Sequence, residues 1–325
     1  MDLSVVVPLF DEEESIEDLH SEIHDALDPL MLEWELIFVD DGSRDGSFEV
    51  LRALHDADPT RVRAISFRRN QGKAIALAEG FAVAEGERIV TLDADLQDVP
   101  AEIPRLLDAL QGGLDLVSGW KRKRHDPLSK TIPSKVFNYV TAKTTGIDIH
   151  DFNCGLKAYR REVTEAIPVY GELHRYLPVL AKWQGFKVGE VAVQHRPRTR
   201  GVTKYGFSRF VNGFLDLLTV ILLTRYDRKP LHLFGGIGML LLAAGCGALA
   251  YLTVGWFLGQ WIGDRPLLPL AILVTLSGFQ LLLFGLLAEL VSARGNSVRA
   301  PVFRSLGLEL DREISRDEGS PVARS

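Results

Sequence analysis

Two stretches without a single Asp, Glu, Lys or Arg dominate the C-terminal third of this 325-residue chain, Leu231 to Leu258 (28 residues) and Leu267 to Ala288 (22 residues). About 20 apolar residues in a helix cover a bilayer core of ~30 Å, so each stretch is long enough to span. The link between them, Gly259 to Pro266, has only Asp264 and Arg265 as charged residues. Arg225, Arg228 and Lys229 precede the first stretch, and Arg294, Arg299 and Arg304 follow the second. That charge bias predicts a transmembrane hairpin with both ends cytoplasmic and the link outside. The competing reading is a buried helical hairpin of a soluble protein. Gly235-Gly236 and Gly245-x-Gly247 permit close helix contact, either inside the hairpin or between copies in a homo-oligomer.

The hairpin accounts for a mean hydropathy of +0.07, high for a chain with 25 % charged residues. A net charge of −6 excludes nucleic acid as the expected partner, because duplex binders present a basic face. Cys154 and Cys246 are far apart and form neither a metal knuckle nor a disulfide ladder, which points to a reducing compartment. Met1-Asp2-Leu3-Ser4, three valines and Pro8 lack the basic start and apolar length of a signal peptide and read as a first strand in the cytosol.

From residue 1 to about 120, short apolar runs alternate with segments of helical period, the pattern of a parallel sheet with crossover helices. The expected strands are Ser4–Leu9, Glu35–Val39, Arg63–Phe67, Ile89–Leu92 and Leu114–Val117, and Asp11 with Glu14 marks an expected helix start. Between Phe207 and Thr224, polar Arg209, Asn212, Asp216 and Thr219 recur at steps of three and four on an otherwise apolar segment. This predicts an amphipathic helix, either in the core or in a membrane interface.

Ligands of open α/β sheets sit beyond the carboxyl ends of the strands. Here those ends are acidic: Pro8-Leu9-Phe10-Asp11-Glu12, Asp40-Asp41-Gly42-Ser43 and Asp93-Ala94-Asp95-Leu96-Gln97. Carboxylates one residue apart, such as Asp93 and Asp95, can share a hard divalent cation, Mg²⁺ or Mn²⁺, completed by substrate phosphates. Glu12 and Asp40 are acceptors suited to a base or ribose, with Phe10 as an apolar surface beside the base. Each cluster alone is also ordinary turn chemistry.

Taken together, in order and spacing, Val5 to Glu13, Val39 to Gly46, Arg69-Asn70-Gln71-Gly72-Lys73-Ala74 and Asp93 to Glu102 resemble the family 2 glycosyltransferases. The narrower likeness is to the polyprenyl-phosphate type, dolichol-phosphate mannose synthase and its bacterial relatives. It continues through Asp151 to Lys157 and His195-Arg196-Pro197-Arg198 to Gly201-Val202-Thr203-Lys204-Tyr205-Gly206, covering about residues 3 to 225. The resemblance implies an α/β, Rossmann-like GT-A domain over residues 1–205. An amphipathic juxtamembrane helix (206–229), two transmembrane helices (230–292) and a cytosolic tail (293–325) would follow.

The resemblance further implies a UDP- or GDP-linked sugar donor and a polyprenyl phosphate acceptor, with inversion at the sugar. Pro8, Phe10, Glu12, Asp40 and Lys73 would hold the donor, Asp93 would sit near sugar and ribose, and Asp95 with Gln97 would face metal and diphosphate. Phe10 and Asp11 stand where the family commonly has tyrosine and asparagine. Lys121, Lys130 and Ser134 fall where relatives contact the lipid phosphate, and Arg198 and Lys204 lie on a loop that closes over donor phosphates. The run Arg122 to Arg124 has no reading beyond a solvated cluster, and Arg209, Arg225, Arg228 and Lys229 suit anionic headgroups. A lipid monophosphate is ionised near neutral pH and needs no strong base; Asp151 is either such a base or a turn cap. Two alternatives stand beside this reading. A processive polysaccharide synthase would carry a Gln-x-x-Arg-Trp motif and more spans, and a nonenzymatic nucleotide-sugar-binding partner would have a damaged metal site.

Overall fold

The computed structural model describes residues 1–122, 138–143, 145–167, 169, 171, 173–197, 219 and 229–295. The chain divides into two compact units, Met1–Arg225 and Tyr226–Ser325. In the first unit the sheet is built from β1 (Leu3–Leu9), β2 (Trp34–Asp40), β3 (Val62–Ser66), β4 (Arg88–Thr91), β5 (Leu116–Lys121), β6 (Lys157–Arg160) and β7 (Val188–Val193). The helices with it are α1 (Ile16–Leu27), α2 (Ser47–Ala57), α3 (Lys73–Val83), α4 (Ile103–Gln111), α5 (Arg161–Ala166) and α6 (Leu177–Trp183).

The strands lie in the order β3-β2-β1-β4-β6-β5-β7. β1 pairs in parallel with β2 and with β4, so the chain steps one way from β1 through β2 to β3 and then returns to the other side for β4. That reversal opens a crevice beyond the carboxyl ends of β1 and β4, the usual ligand position in such a sheet. The five strands expected from the sequence are present, but the sheet is mixed. β6 runs antiparallel between β4 and β5.

Alternation along the central strands sends side chains to two cores, as the period of two requires. Val5, Val7, Leu36 and Phe38 face one core with Ile16, Leu19 and Ile23 of α1 and Leu106 and Leu110 of α4. Val6, Ile37 and Val39 face the other with Leu77 and Phe81 of α3 and Leu180 of α6. Burial on both faces explains why β1 and β2 read as unbroken apolar runs. The helix expected to begin at Asp11 begins at Ile16 after Ser15. Asp11 is in the left-handed region at φ 50°, and its carboxylate accepts the Arg44 N–H at 2.8 Å, so it ties two loops together instead of capping a helix.

The second unit contains α7 (Pro230–Phe257) and α8 (Leu267–Gly295), two helices long and apolar enough to cross a membrane. Their seam is made of small residues. A Cβ on Gly278 would lie 2.6 Å from the Leu242 nitrogen and 2.8 Å from the Gly238 oxygen. Backbones in such contact gain packing that lipid cannot replace. Leu240, Leu273 and Phe284 face outward, 71 %, 62 % and 60 % exposed. α8 runs past Ala288 and includes Glu289, whose Oε2 accepts the Leu231 N–H at 3.2 Å, satisfying one of the orphan donors at the start of α7.

Candidate active site at the carboxyl ends of the central strands

Four loops meet at the crevice and brace one another. After β1 and β2, the Asp11 N–H donates to Ser43 Oγ at 2.9 Å and the Glu12 N–H to Ser47 Oγ at 3.1 Å, while Glu13 accepts the Gly46 N–H at 2.9 Å. Pro8 is buried in β1, and Phe10 and Glu12 stand half-buried at the rim.

Asp40, buried at the end of β2, accepts the Ser43 N–H at 2.9 Å and the Ser66 hydroxyl at 2.7 Å. Each oxygen of a carboxylate has a second acceptor position, so these bonds fix Asp40 without exhausting it. Its neighbour Asp41 organises the next loop: Oδ1 accepts the Gln71 N–H at 2.6 Å and Oδ2 the Gly72 N–H at 2.9 Å. Burial pushes the Asp41 carboxyl up, against the pull of those two N–H groups. Gly42, at φ 74°, lets the turn lie against this loop, since a Cβ there would be 2.6 Å from the Arg69 carbonyl carbon. Sequence reasoning singled out Asp40 and passed over Asp41. The signal available was the Asp-Asp-Gly step itself, one carboxylate for each side of a turn.

The loop held by Asp41 delivers Lys73 at the first turn of α3, and its ammonium pairs with Asp93 after β4. Gly155 makes room for that carboxylate, because a Cβ there would come within 2.6 Å of Asp93 Cγ. Its carbonyl is anchored by the Thr91 hydroxyl at 2.9 Å. Burial opposes the Asp93 charge, but the ammonium groups of Lys73 and Lys121 outweigh it and hold the carboxyl below its usual range. Asp95, two residues on, behaves oppositely. Burial first, then the Asp93 and Asp98 carboxylates, push it up to about 6. Leu96 turns the chain at φ 59°, and the Gln97 N–H returns to Asp95 Oδ1 at 3.2 Å.

The far wall is the segment after β7. Asp98 and His195 form an antiparallel bridge, the Arg196 N–H donates to the Gln97 carbonyl at 3.0 Å, and Arg196 pairs with Glu22 of α1 at 2.6 Å. This chain matches the family described as Glycosyl transferase family 2 over residues 4–167. It is 38 % identical over 302 residues to a dodecaprenyl-phosphate galacturonate synthase of Rhizobium johnstonii, covering 90 % of this chain and 88 % of that protein. It is 36 % identical over 302 residues to an undecaprenyl-phosphate 4-deoxy-4-formamido-L-arabinose transferase of Aeromonas hydrophila, covering 92 % and 90 %.

The chain belongs to glycosyl transferase family 2.

Solved structures agree on the fold of this glycosyltransferase, GT-A. Glucosyl-3-phosphoglycerate synthase of Mycobacterium tuberculosis with Mn²⁺, uridine diphosphate and phosphoglyceric acid has a TM-score of 0.52 at 21 % identity, covering 69 % of this chain and 78 % of that one. The same enzyme with Mg²⁺ and uridine diphosphate has a TM-score of 0.51 at 22 % identity, covering 66 % and 79 %.

Of the transferase's expected site residues, the structure brings Lys73, Asp93, Asp95 and Gln97 into one neighbourhood, with Pro8 and Asp40 at the ends of β1 and β2 and Phe10 and Glu12 on the loop after β1. Lys130, Ser134, Arg198 and Lys204 lie outside the described residues, as does nearly all of the expected amphipathic helix. Lys121 is inside the site but engaged: its ammonium pairs with Asp98 at 2.8 Å, with the two side chains 12 % and 1 % exposed. Asp151 is 1 % exposed; Oδ1 accepts the Asn153 N–H at 3.1 Å, the bond of a turn cap. Beneath the site, Lys157 of β6 is buried and donates to the Cys154 carbonyl, a cation that sequence reasoning did not single out. Burial pushes the Cys154 thiol up to about 12, which leaves it inert.

The acidic loop fits a divalent cation. Asp95 is held above its usual range first by burial and then by the Asp93 and Asp98 charges beside it, effects that a bound cation would offset. Among the described residues no three His, Cys, Asp or Glu side chains gather as a metal cage. One or two protein oxygens completed by substrate phosphates is the arrangement Mg²⁺ ordinarily takes in phosphate-handling sites.

Proposed function

We propose that this glycosyltransferase moves a sugar from a UDP- or GDP-linked donor to a polyprenyl monophosphate at the cytoplasmic face of a membrane, with inversion. The observation that carries the reading is the placement of Asp93, Asp95 and Gln97 at the topological switch point of a chain that also has two span-length apolar helices. The names of the relatives support the acceptor class, since both act on a polyprenyl phosphate.

Asp95 and Gln97 would hold a Mg²⁺ or Mn²⁺ ion, which supplies charge neutralisation for a departing nucleoside diphosphate. Glu12 and Asp40 offer acceptors to the nucleoside, with Phe10 against its base. Lys73, fixed by Asp93, sets the position of the carboxylate nearest the sugar. Lys130 and Ser134 are assigned to the acceptor phosphate, and Arg198 and Lys204 to the donor phosphates. The acceptor oxygen is already anionic near neutral pH, so stabilising the leaving group is the main demand on the site. Asp151 caps a buried turn through its Oδ1.

The test is a donor panel. Full-length protein in nanodiscs is offered UDP- and GDP-sugars, galacturonate and 4-deoxy-4-formamido-L-arabinose donors among them, with undecaprenyl phosphate and Mg²⁺ or Mn²⁺. Label passing into the lipid with at least one donor, and lost with EDTA, is the expected result. No lipid-linked sugar from any donor refutes the proposal.

A further inference from the structure

The segment after β7 and the loop after β4 are joined over three successive residues. The Gln194 N–H donates to Glu102 Oε1 at 3.3 Å, His195 bridges Asp98, and the Arg196 N–H donates to the Gln97 carbonyl at 3.0 Å. The Gln97 side chain returns to the same segment, its amide nitrogen donating to the Arg196 carbonyl at 3.4 Å. Glu102, 4 % exposed, is itself held by Arg105 of α4, which fixes one end of this joint in the fold. At the other end the Arg196 guanidinium pairs with Glu22 of α1 at 2.6 Å, and α1 is continuous with the loop that carries Phe10 and Glu12. The two side chains are 45 % and 33 % exposed and line a cleft of about 330 Å³ with Asp18, Ser21 and Leu96, so open space and not packed side chains lies beside the pair.

We infer that Glu22 is a positioning residue: by holding Arg196 it sets the Gln97 carboxamide in the orientation that a divalent cation needs. The inference rests on the reading of Gln97 as a metal-facing residue. An amide bound through its nitrogen points its oxygen the other way, and oxygen is the atom a hard cation takes. The carbonyl that orients the amide belongs to the same residue whose guanidinium Glu22 holds, so Arg196 carries both ends of the link. Groups that orient a metal ligand govern affinity without touching the metal. A half-exposed ion pair adds little to stability, so losing this one registers at the site and barely in a melt.

The test measures Mn²⁺ binding by electron paramagnetic resonance on the full-length protein in nanodiscs, with UDP or GDP present, which reads metal affinity without turnover. Glu22→Ala is expected to bind Mn²⁺ about tenfold more weakly, the lower end of the loss when a group that orients a metal ligand is removed. Glu22→Gln lacks the charge but keeps an acceptor for Arg196, and is expected to stay within about threefold of the wild type. Arg196→Ala separates positioning from bulk charge. Losing a positive charge tightens cation binding by electrostatics alone, whereas losing the link weakens it about tenfold, which is the expected result. Glu22→Ala/Arg196→Ala is expected to match the single variants, because each removes the same bond. Every variant is expected to melt within about 4 °C of the wild type. Unchanged Mn²⁺ affinity in Glu22→Ala, tighter binding in Arg196→Ala, or a Glu22→Gln as weak as Glu22→Ala overturns the inference. So does a melt lowered by about 10 °C, which makes the pair a support of the whole fold. A loss confined to Arg196→Ala overturns it in favour of a direct ligand for the nucleotide phosphates. Gln97→Ala tells the two failures apart. If it binds Mn²⁺ like the wild type, or the wild type binds none with either nucleotide, the metal reading of Gln97 fails and takes the inference with it. If Gln97→Ala is weak and Glu22→Ala normal, the inference alone fails.

Discussion

Gly155 leaves no room for a side chain beside Asp93, and Gly155→Ala converts that into a measurement. A Cβ there would sit 2.6 Å from both Cγ and Oδ1 of Asp93 and 2.7 Å from Oδ2, whereas ordinary contact begins at 3.4 Å. The carboxylate therefore has to retreat by about 0.8 Å, from a position fixed by the Lys73 ion pair and the Asp98 bond to its backbone. Overpacking of this size costs about 1–3 kcal/mol. For a folded unit of some 200 residues each kcal/mol lowers Tm by about 2–4 °C, so a fall of about 4–8 °C is expected at the middle of the range. A catalytic group displaced by close to 1 Å loses about two orders of magnitude in rate. The pair of assays is a thermal melt of the detergent-solubilised protein and initial-rate sugar transfer to undecaprenyl phosphate. The expected result is a modest loss of stability with about a hundredfold loss of kcat. A variant that melts and turns over like the wild type would show that Asp93 does not occupy the space above Gly155.

Three further outcomes follow from the same geometry. Burial and then two neighbouring carboxylates push the Asp95 carboxyl up to about 6. Below that pH a cation must displace a proton, so Mn²⁺ affinity should be flat above about pH 6 and fall by up to tenfold per unit beneath it, a profile absent from Asp95→Asn. The sign for metal-free stability is the reverse: an acid with a raised folded-state pKa contributes most at low pH, and that contribution declines as pH rises through about 6. Asp41→Ala removes the acceptor of two N–H groups in the loop that delivers Lys73, which should cost about 2–3 kcal/mol in a denaturant melt and raise the KM for the donor; an unaltered melt would contradict the bracing role. Gly278→Leu forces side-chain atoms into the Gly238–Leu242 backbone and should lower the yield of folded protein in nanodiscs, whereas Gly236→Leu, which has open space at its Cβ, should be tolerated.

Much of this architecture was visible in the order of residues. β1, β2 and β4 are short apolar runs ending in acids, and the acids mark the carboxyl ends where ligands bind. The two span-length helices needed only the absence of charge. β6 was not visible, for a physical reason. Lys157-Ala158-Tyr159-Arg160 is four residues with a cation at each end, and its place in the sheet comes from insertion between β4 and β5, where Ala158 and Tyr159 complete opposite cores. Asp11 was misread because an acid with Glu14 three residues on imitates a helix start, and only the fold shows its carboxylate spent on the Arg44 N–H. At the candidate site, residue type and position singled out the Asp93-x-Asp95-x-Gln97 loop, and the structure sets it beside Lys73. They could not reveal that Asp41 braces the Lys73 loop or that Lys121 is bound to Asp98, because those pairings depend on strands distant in sequence. Gly155 carries its meaning only opposite Asp93, 62 positions earlier in the chain.

The function proposed for this transferase requires that the acidic loop drive sugar transfer to a lipid phosphate. The most direct measurement is mass spectrometry of the lipid fraction after purified wild-type protein and Asp95→Asn have each been incubated with undecaprenyl phosphate, Mn²⁺ and the donor selected by the panel. A polyprenyl-phosphate sugar formed by the wild type, and reduced by at least about a hundredfold in a normally folded Asp95→Asn, is the predicted result. Equal product from both proteins, or consumption of donor with no sugar on the lipid, would contradict it.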